Sequence, residues 1–385
     1  MPKKIIRGFF LSMLTIMVFY ACTSEQEPLL NNESLSIRLR WVPGTEIDTQ
    51  QEAITGLSWA LSQLGAMLPT GSLEKSVKWH EEHLFDLNIL EVGLAPNSLF
   101  PFHSIIQRLK SSEEYVQTGA IDLGRFIMLS LNSPYHYYKI VAMPETLVEF
   151  RGLYVFNGDR VEVVNSSISI SHRLIEIAEA NSPLDIAFVA GETGEEFMEG
   201  FPFEAKEFET LSVMPNGQLR YGIYGQNGKL KVAASKDLTI AGKPAKCVWC
   251  HEINIQPLFL NNPVLENSRF LTAKEFNMRQ HEQMISLTAY RLSLKTEIDF
   301  TQLQDHERVE ELYEEFMEPT IERLMIEWQM SEMTIAQLLA GVPKHEHHEF
   351  GMVYYRKDVD GLGPYAIIRV SDSAREPSSF DPNFF

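Results

Sequence analysis

The chain has 385 residues, of which 44% are hydrophobic and 22% are charged, as expected of a packed globular protein with two or three domains. Its formal net charge is −19 at pH 7, which argues against binding to nucleic acid or to anionic lipid by charge. An acidic surface of this kind suits a partner with a basic surface, although acidic surfaces are also common without one.

The first residues have the pattern of an export signal. Lys3, Lys4 and Arg7 give a positively charged start, and an apolar run over residues 9–21 follows. This run is too short to span a bilayer as a helix. We therefore interpret residues 1–21 as a secretory signal peptide.

The run ends in Phe19-Tyr20-Ala21-Cys22, which resembles a bacterial lipoprotein box. Ala21 is the small residue expected before the cysteine, whereas Phe19 and Tyr20 depart from the usual residues there. The resemblance implies a lipid on Cys22, a polar tether over residues 22–47, and a position at the bacterial cell envelope facing the periplasm or the cell surface. An uncleaved segment would anchor the protein in the same compartment.

Residues 48–240 are expected to form a mixed α/β domain, whose role the sequence does not reveal. Thr49-x-x-Glu52 is a capping box followed by apolar residues at helical spacing, which predicts a helix to about Met67. Residues 168–180 also have a helical pattern.

The end of this domain has the pattern of an antiparallel meander. Residues 211–214, 219–224 and 229–234 favour strands, and the turn sequences Asn216-Gly217 and Asn227-Gly228 separate them. Asn-Gly suits tight turns that require a positive φ, so this pattern strongly indicates consecutive antiparallel strands.

The pattern then becomes helical. Thr272-x-x-Glu275 is a second capping box, and Ser331 is expected to cap a later helix. Residues 309–328 form an amphipathic stretch that contains Pro319. Because proline cannot continue a helix without losing a hydrogen bond, a kink or a break is expected there.

The most specific feature of the chain is the pentapeptide Cys247-Val248-Trp249-Cys250-His251. C-x-x-C-H is the signature of c-type haem attachment, because two thiols one helical turn apart can bond the porphyrin while the next histidine reaches the iron. In this segment the chain resembles the cytochrome c class. The resemblance implies one covalent haem c, attached through Cys247 and Cys250, with His251 as the proximal ligand of the iron.

The resemblance covers the motif and the helical residues after it. It implies a cytochrome c-like haem domain over residues 241–345, followed by a C-terminal extension over residues 346–385. The expected fold class is α+β, with an N-terminal mixed α/β domain containing the antiparallel meander and a helical domain after it. The sequence has no second C-x-x-C-H, so a single haem is expected.

The ligand on the other side of the iron distinguishes an electron carrier from a protein that binds small molecules at the metal. Met330, just before Ser331, resembles the loop-borne methionine ligand of many cytochromes c and is the first candidate. His281 is the second. Pro257 resembles the proline whose backbone carbonyl supports the proximal histidine in many cytochromes c.

The sequence also allows other kinds of site, at the motif and at two clusters of histidines. A thioredoxin-like C-x-x-C usually follows a strand, whereas a linker precedes this one. His345, His347 and His348 could bind a transition metal or complete a zinc site with the motif thiols. The sequence His80-Glu81-Glu82-His83 lacks the i, i+4 histidine spacing of a metalloprotease box.

These features predict an exported lipoprotein that transfers electrons at the cell envelope through one haem. Its expected partner is a redox protein, and its lipid is expected to anchor it in the membrane. No nucleic acid is expected as a partner, and no catalytic side chain is assigned. An electron carrier does not need so large an N-terminal domain, so a haem-dependent oxidoreductase or a gas sensor with an open distal site is the second alternative. A third alternative is a non-haem envelope binding protein in which Cys247 and Cys250 form a disulfide.

Overall fold

The structure is a computed structural model that describes residues 30–44, 46–163, 168–169, 172–194, 203–258 and 270–385. The chain divides into two compact units, Met1–Asn31 and Asn32–Phe385. The expected signal peptide and Cys22 lie outside the described residues, so both stay predictions. In the described part of the chain, every helix is too short or too polar to serve as a bilayer span.

The N-terminal part contains a small sheet and a set of helices. Strands β1 (Ser36–Arg40), β2 (Val77–Glu81), β3 (Leu84–Asn88) and β4 (Ile121–Asp122) are arranged in the order β2-β3-β1-β4. β1 runs antiparallel to β3 and parallel to β4. The helices of this part are α1 (Gln50–Gln63), α2 (Ser72–Ser76), α3 (Pro96–Lys110), α4 (Glu113–Thr118), α5 (Leu123–Ile127), α6 (Pro134–Ile140) and α7 (Leu147–Gly152).

Helix α1 begins at the expected capping box. The Thr49 hydroxyl accepts a hydrogen bond from Glu52 N, and the Glu52 carboxylate accepts one from Thr49 N, each at 3.2 Å. These two bonds satisfy donors that the first turn of a helix leaves unpaired. The predicted helix is confirmed, although it ends at Gln63 rather than at Met67.

A five-stranded antiparallel sheet follows, with its strands in chain order. They are β5 (Arg160–Val163), β6 (Arg173–Ile177), β7 (Ala187–Glu192), β8 (Glu207–Val213) and β9 (Leu219–Gly225). The turn between β8 and β9 contains Gly217 with φ of +82°, a conformation that glycine adopts without strain. The first hairpin of the predicted meander is therefore confirmed.

Two expectations for this region are wrong. The predicted helix over residues 168–180 includes strand β6, which pairs with β5 on one side and β7 on the other. Pairing along both edges outweighed a local pattern that also fitted a helix. Residues 229–234 do not form the third strand of the meander, because only isolated bridges from Lys229 and Leu230 are present there.

The C-terminal part is mainly helical. Its elements are α8 (Pro244–His251), α9 (Ala273–Ser293), α10 (Glu307–Met317), α11 (Ile321–Trp328), α12 (Glu332–Leu338), β10 (His345–His347), β11 (Gly351–Val353) and α13 (Arg356–Val359). The expected caps at Thr272 and Ser331 and the break at Pro319 are all confirmed. The mixed first sheet, the antiparallel five-stranded sheet and these helices confirm the expected α+β class.

Close packing crosses both expected domain boundaries, at residues 241 and 346. Helix α10 lies against α1 so closely that a Cβ on Gly56 would come within 2.5 Å of Leu312 Cδ1. The C-terminal extension packs back on the start of α8, where Lys243 Nζ donates to Ser371 Oγ at 2.8 Å and to Asp381 Oδ1 at 2.9 Å.

A buried ion network also joins distant parts of the chain. Arg125 Nε lies 3.1 Å from Glu114 Oε2, and Arg125 Nη2 lies 2.9 Å from Asp360 Oδ1. Both oxygens of Glu327 accept from Arg356, at 2.8 and 2.9 Å. These side chains are almost completely inaccessible to solvent, so each charge depends on its partners.

The ring of Phe316 lies at the centre of this network. The guanidinium carbons of Arg125, Arg323 and Arg356 lie 5.2, 5.7 and 4.0 Å from its centroid. Arg323 also binds both oxygens of Asp122 at 2.9 Å. The network therefore combines ion pairs with cation–π contacts on one ring.

We expect Glu327→Gln to lower the free energy of unfolding by about 3–5 kcal/mol, because it leaves buried guanidinium groups without their counter-charge. Urea denaturation of the purified protein measures the loss. The control is Lys139→Ala, which removes an exposed ion pair with Glu145 and should cost less than about 1 kcal/mol. Equal losses of unfolding free energy in Glu327→Gln and Lys139→Ala would show that the buried network does not stabilise the fold.

Candidate functional site

Helix α8 places the three motif residues on one face. Its N-cap residue is Lys243, Pro244 occupies the first turn, and the helix ends where Glu252 adopts a left-handed φ of +46°. At 3.6 residues per turn, Cys247, Cys250 and His251 project from one side, and Trp249 projects from the other.

The opposite side of α8 is fixed by helix α10. The rings of Trp249 and Tyr313 have centroids 5.9 Å apart. Both residues line a groove of about 310 Å³ together with acidic side chains of α10 and residues of the C-terminal extension. Trp249 therefore anchors the motif helix on the side away from the thiols.

The two thiols differ in their surroundings. Both are free in the structure; Cys247 is partly buried and Cys250 is exposed. Burial, with a contribution from the nearby Glu209 carboxylate, raises the pKa of Cys247 far above its usual value. Cys247 is therefore a protonated thiol at neutral pH.

His251 is held by the backbone that follows it. Its Nδ1 lies 3.1 Å from Asn254 O. Because a carbonyl oxygen can only accept, Nδ1 carries the proton and Nε2 keeps a free lone pair. Burial lowers the pKa of His251, which favours this neutral form, and Tyr221 of β9 lies beside the ring with centroids 5.2 Å apart.

This hydrogen bond corrects the expectation for Pro257. The carbonyl that supports His251 belongs to Asn254, and Pro257 is exposed. The left-handed conformations of Glu252 and Ile253 turn the chain back under the imidazole, which brings a carbonyl only three residues away within reach.

A buried group of charges from the sheet lies near the motif. Arg173 of β6 pairs with Glu192 at 2.7 Å and with Glu209 at 2.5 Å. Burial raises the pKa of Glu192 to about 8. Burial has the largest effect on the pKa of both motif groups. The Arg173 charge opposes it at the Cys247 thiol, whose pKa stays raised, and adds to it at the His251 imidazole, so the motif has a cationic neighbour contributed by the N-terminal part.

The candidates for the distal ligand lie in different surroundings. Met330 packs against an apolar cluster of the C-terminal part that includes Trp328 and Ile335. His281 is exposed on α9. The sulfur of Met284 on α9 accepts a hydrogen bond from Ile255 N at 3.4 Å, close to the motif. The roles of Met330 and His281 stay predictions.

The two histidine clusters lie outside this site. His80 pairs with Asp86 at 2.6 Å in the first sheet. His345 pairs with Glu318 at 2.7 Å. His347 and His348 lie at the β10–β11 turn, where their nitrogens and a Glu349 oxygen are within 4.8 Å of one another and could hold a metal ion.

Sequence reasoning missed Asn254, Tyr221 and Arg173. The backbone carbonyl of Asn254 carries no residue-type signal, and its use depends on the two left-handed residues before it. Tyr221 and Arg173 reach the motif from strands of the second sheet, so only the tertiary structure reveals them.

No family model, curated protein or solved structure matches this chain.

The residues at the motif fit a covalent haem through the chemistry of their donors. Two free thiols lie one helical turn apart on one face of α8. Next to them, His251 has its Nδ1 proton bound by a carbonyl, which is the outer-shell arrangement usual for metal-ligating histidines. Its Nε2 is the atom that could bind iron.

We expect the haem-free protein to react with maleimide in two phases under native conditions. Cys250 reacts quickly because it is exposed, whereas Cys247 reacts at least tenfold more slowly because it is partly buried and its thiolate is disfavoured. Mass spectrometry of timed samples assigns each site, and denatured protein gives the control in which both react at similar rates. Equal native rates would contradict the burial described for Cys247.

Proposed function

We propose that this chain is an exported lipoprotein that carries one covalent haem c and transfers electrons at the cell envelope. The observation that carries the proposal is the contact of His251 Nδ1 with Asn254 O at 3.1 Å, which directs the proton to Nδ1 and leaves Nε2 available beside two thiols on the same helix face. A simple redox dithiol needs no histidine oriented in this way. A zinc site needs further donors, and the histidines of β10 lie in a separate sheet.

When bound, the haem would supply one-electron redox chemistry. Cys247 and Cys250 would each add S–H across one vinyl double bond. The sulfur would form a bond to one vinyl carbon and the hydrogen a bond to the other, so no atom is lost. His251 would hold the iron through Nε2. The Asn254 carbonyl keeps the proton on Nδ1 and makes the imidazole a more basic ligand.

The location and the partner belong to the same proposal. A lipid on Cys22 would hold the folded unit at the membrane. The expected tether over residues 22–47 is too long, because Ser36–Arg40 form β1 and pair with β3 and β4, so the tether would end before the buried Leu35. The net charge of −19 favours a redox partner with a basic surface, through electrostatic steering. Nucleic acid is not proposed as a partner.

A haem enzyme or gas sensor is the second candidate. The placement of the two expected ligands favours it, because Met330 is engaged in an apolar cluster and His281 is exposed. If none of Met330, His281 and Met284 bound the iron, a haem held by His251 could bind small molecules. The non-haem protein with a disulfide is third, since both motif thiols are free in the structure.

The first test is the absorption spectrum of the full chain produced with haem-attachment machinery. We expect c-type bands that remain with the protein after acid–acetone extraction, and their loss in Cys247→Ser/Cys250→Ser. Trp249→Phe is the matched control, because it changes the same helix without removing a donor. The absence of covalently bound haem from the wild-type protein would refute the proposal.

Carbon monoxide separates the first two candidates. A reduced spectrum that does not change with carbon monoxide indicates a six-coordinate electron carrier. A shift indicates an accessible iron and supports the enzyme or sensor.

We expect Cys22→Ala to release the protein from the membrane fraction, because a lipid on this cysteine would be the anchor. Incorporation of labelled fatty acid, followed by fractionation of cells, measures this. Cys250→Ser is the control and should keep the label. An unlabelled wild-type protein that still sediments with membranes would indicate an uncleaved segment as the anchor instead.

A further inference from the structure

The loop after the motif is attached to helix α9. The Gln280 side-chain amide donates to Ile255 O, and Ile255 N donates to Met284 Sδ at 3.4 Å. Both backbone polar groups of Ile255 are therefore bound by side chains of one helix.

A second attachment involves Arg291, which is only 4% exposed. Its Nη2 donates to Ile253 O at 2.7 Å, and its Nε donates to Gly217 O at 2.8 Å. The guanidinium also lies over the ring of Phe300, 5.1 Å from the centroid. One side chain thus joins the loop to the turn between β8 and β9.

Asn254 lies between these two attached residues. The Asn254 carbonyl lies in one planar peptide group with Ile255 N, which donates to Met284 Sδ. The peptide groups on either side are held by Arg291 at Ile253 O and by Gln280 at Ile255 O, so the direction of the carbonyl is restricted from both sides. Glu252 and Ile253 have φ of +46° and +63°, which L residues, and β-branched isoleucine in particular, rarely adopt. Such a loop persists only where its surroundings enforce it, and here α9 supplies the surrounding bonds.

We propose that Gln280 and Arg291 are positioning residues for His251. By holding Ile253 and Ile255, they keep the Asn254 carbonyl against Nδ1 and so fix the tautomer of the imidazole. The consequence for a bound iron rests on the proposed function, whereas the consequence for the tautomer does not. A weaker bond to Nδ1 makes His251 a less basic ligand, which destabilises oxidised iron and makes the reduction potential more positive.

The test begins with the haem-free full chain in detergent, labelled with ¹⁵N-histidine. The wild-type spectrum should show His251 as one tautomer, with Nδ1 protonated. In Gln280→Met and Arg291→Lys, the ratio of this tautomer to the other should fall about fivefold or more, as expected for the loss of one hydrogen bond. Arg291→Lys retains the charge but cannot bind both carbonyls as a fork.

Gln283→Met is the matched control. Gln283 lies on the same helix and donates to Ala178 O at 3.1 Å, on the side of the sheet rather than the loop. The Gln283→Met variant loses a hydrogen bond of the same kind, yet the tautomer of His251 should not change. Circular dichroism establishes that each variant is folded, and two independent variants ensure that one folding failure does not end the test.

The haem-loaded proteins provide the second readout. The potentials of Gln280→Met and Arg291→Lys should be more positive than that of the wild type, by up to the 59 mV that corresponds to a tenfold change for one electron. Gln283→Met should match the wild type. Folded Gln280→Met and Arg291→Lys variants with an unchanged tautomer would overturn the inference. A wild-type chain that binds no haem would overturn the proposed function and leave the tautomer result standing.

Discussion

The ring of Phe316 is contacted by three guanidinium groups, those of Arg125, Arg323 and Arg356. Carboxylates of α4, β4, α11 and the residue after α13 surround these groups. Removing these charges from water costs several kcal/mol each, so the elements that carry them are stable only where the charges are paired. Four carboxylates face three guanidiniums, and burial raises the pKa of Glu114 to about 7. Protonation of Glu114 can therefore offset the excess negative charge.

The arrangement of the motif helix depends on this centre. Phe316 belongs to α10, and Tyr313, one turn earlier, supports Trp249 on the side of α8 away from the thiols. On the other side, Tyr221 of the second sheet lies beside His251. The motif helix is therefore placed by elements from both halves of the chain, which explains why close packing crosses the expected domain boundaries.

Features governed by neighbouring residues could be predicted from the sequence, and features governed by distant residues could not. The capping boxes at Thr49 and Thr272 and the break at Pro319 were identified because their bonds span three or four residues. Strand β6 was missed because its conformation depends on pairing with β5 and β7. The motif residues were recognised by type and spacing, but Arg291 was not, since its bonds to Ile253 and Gly217 leave no local pattern.

The attachment of the C-terminal extension has a consequence for the order of events during folding. Lys243, the N-cap residue of α8, binds Ser371 and Asp381, and its backbone N donates to Arg375 O at 2.9 Å. Ser371 and Asp381 lie 128 and 138 residues after Lys243 in the sequence. The start of the motif helix therefore cannot complete its packing until these distant residues have folded back onto it. Before that contact forms, the first turn of the helix that carries Cys247 and Cys250 is still open.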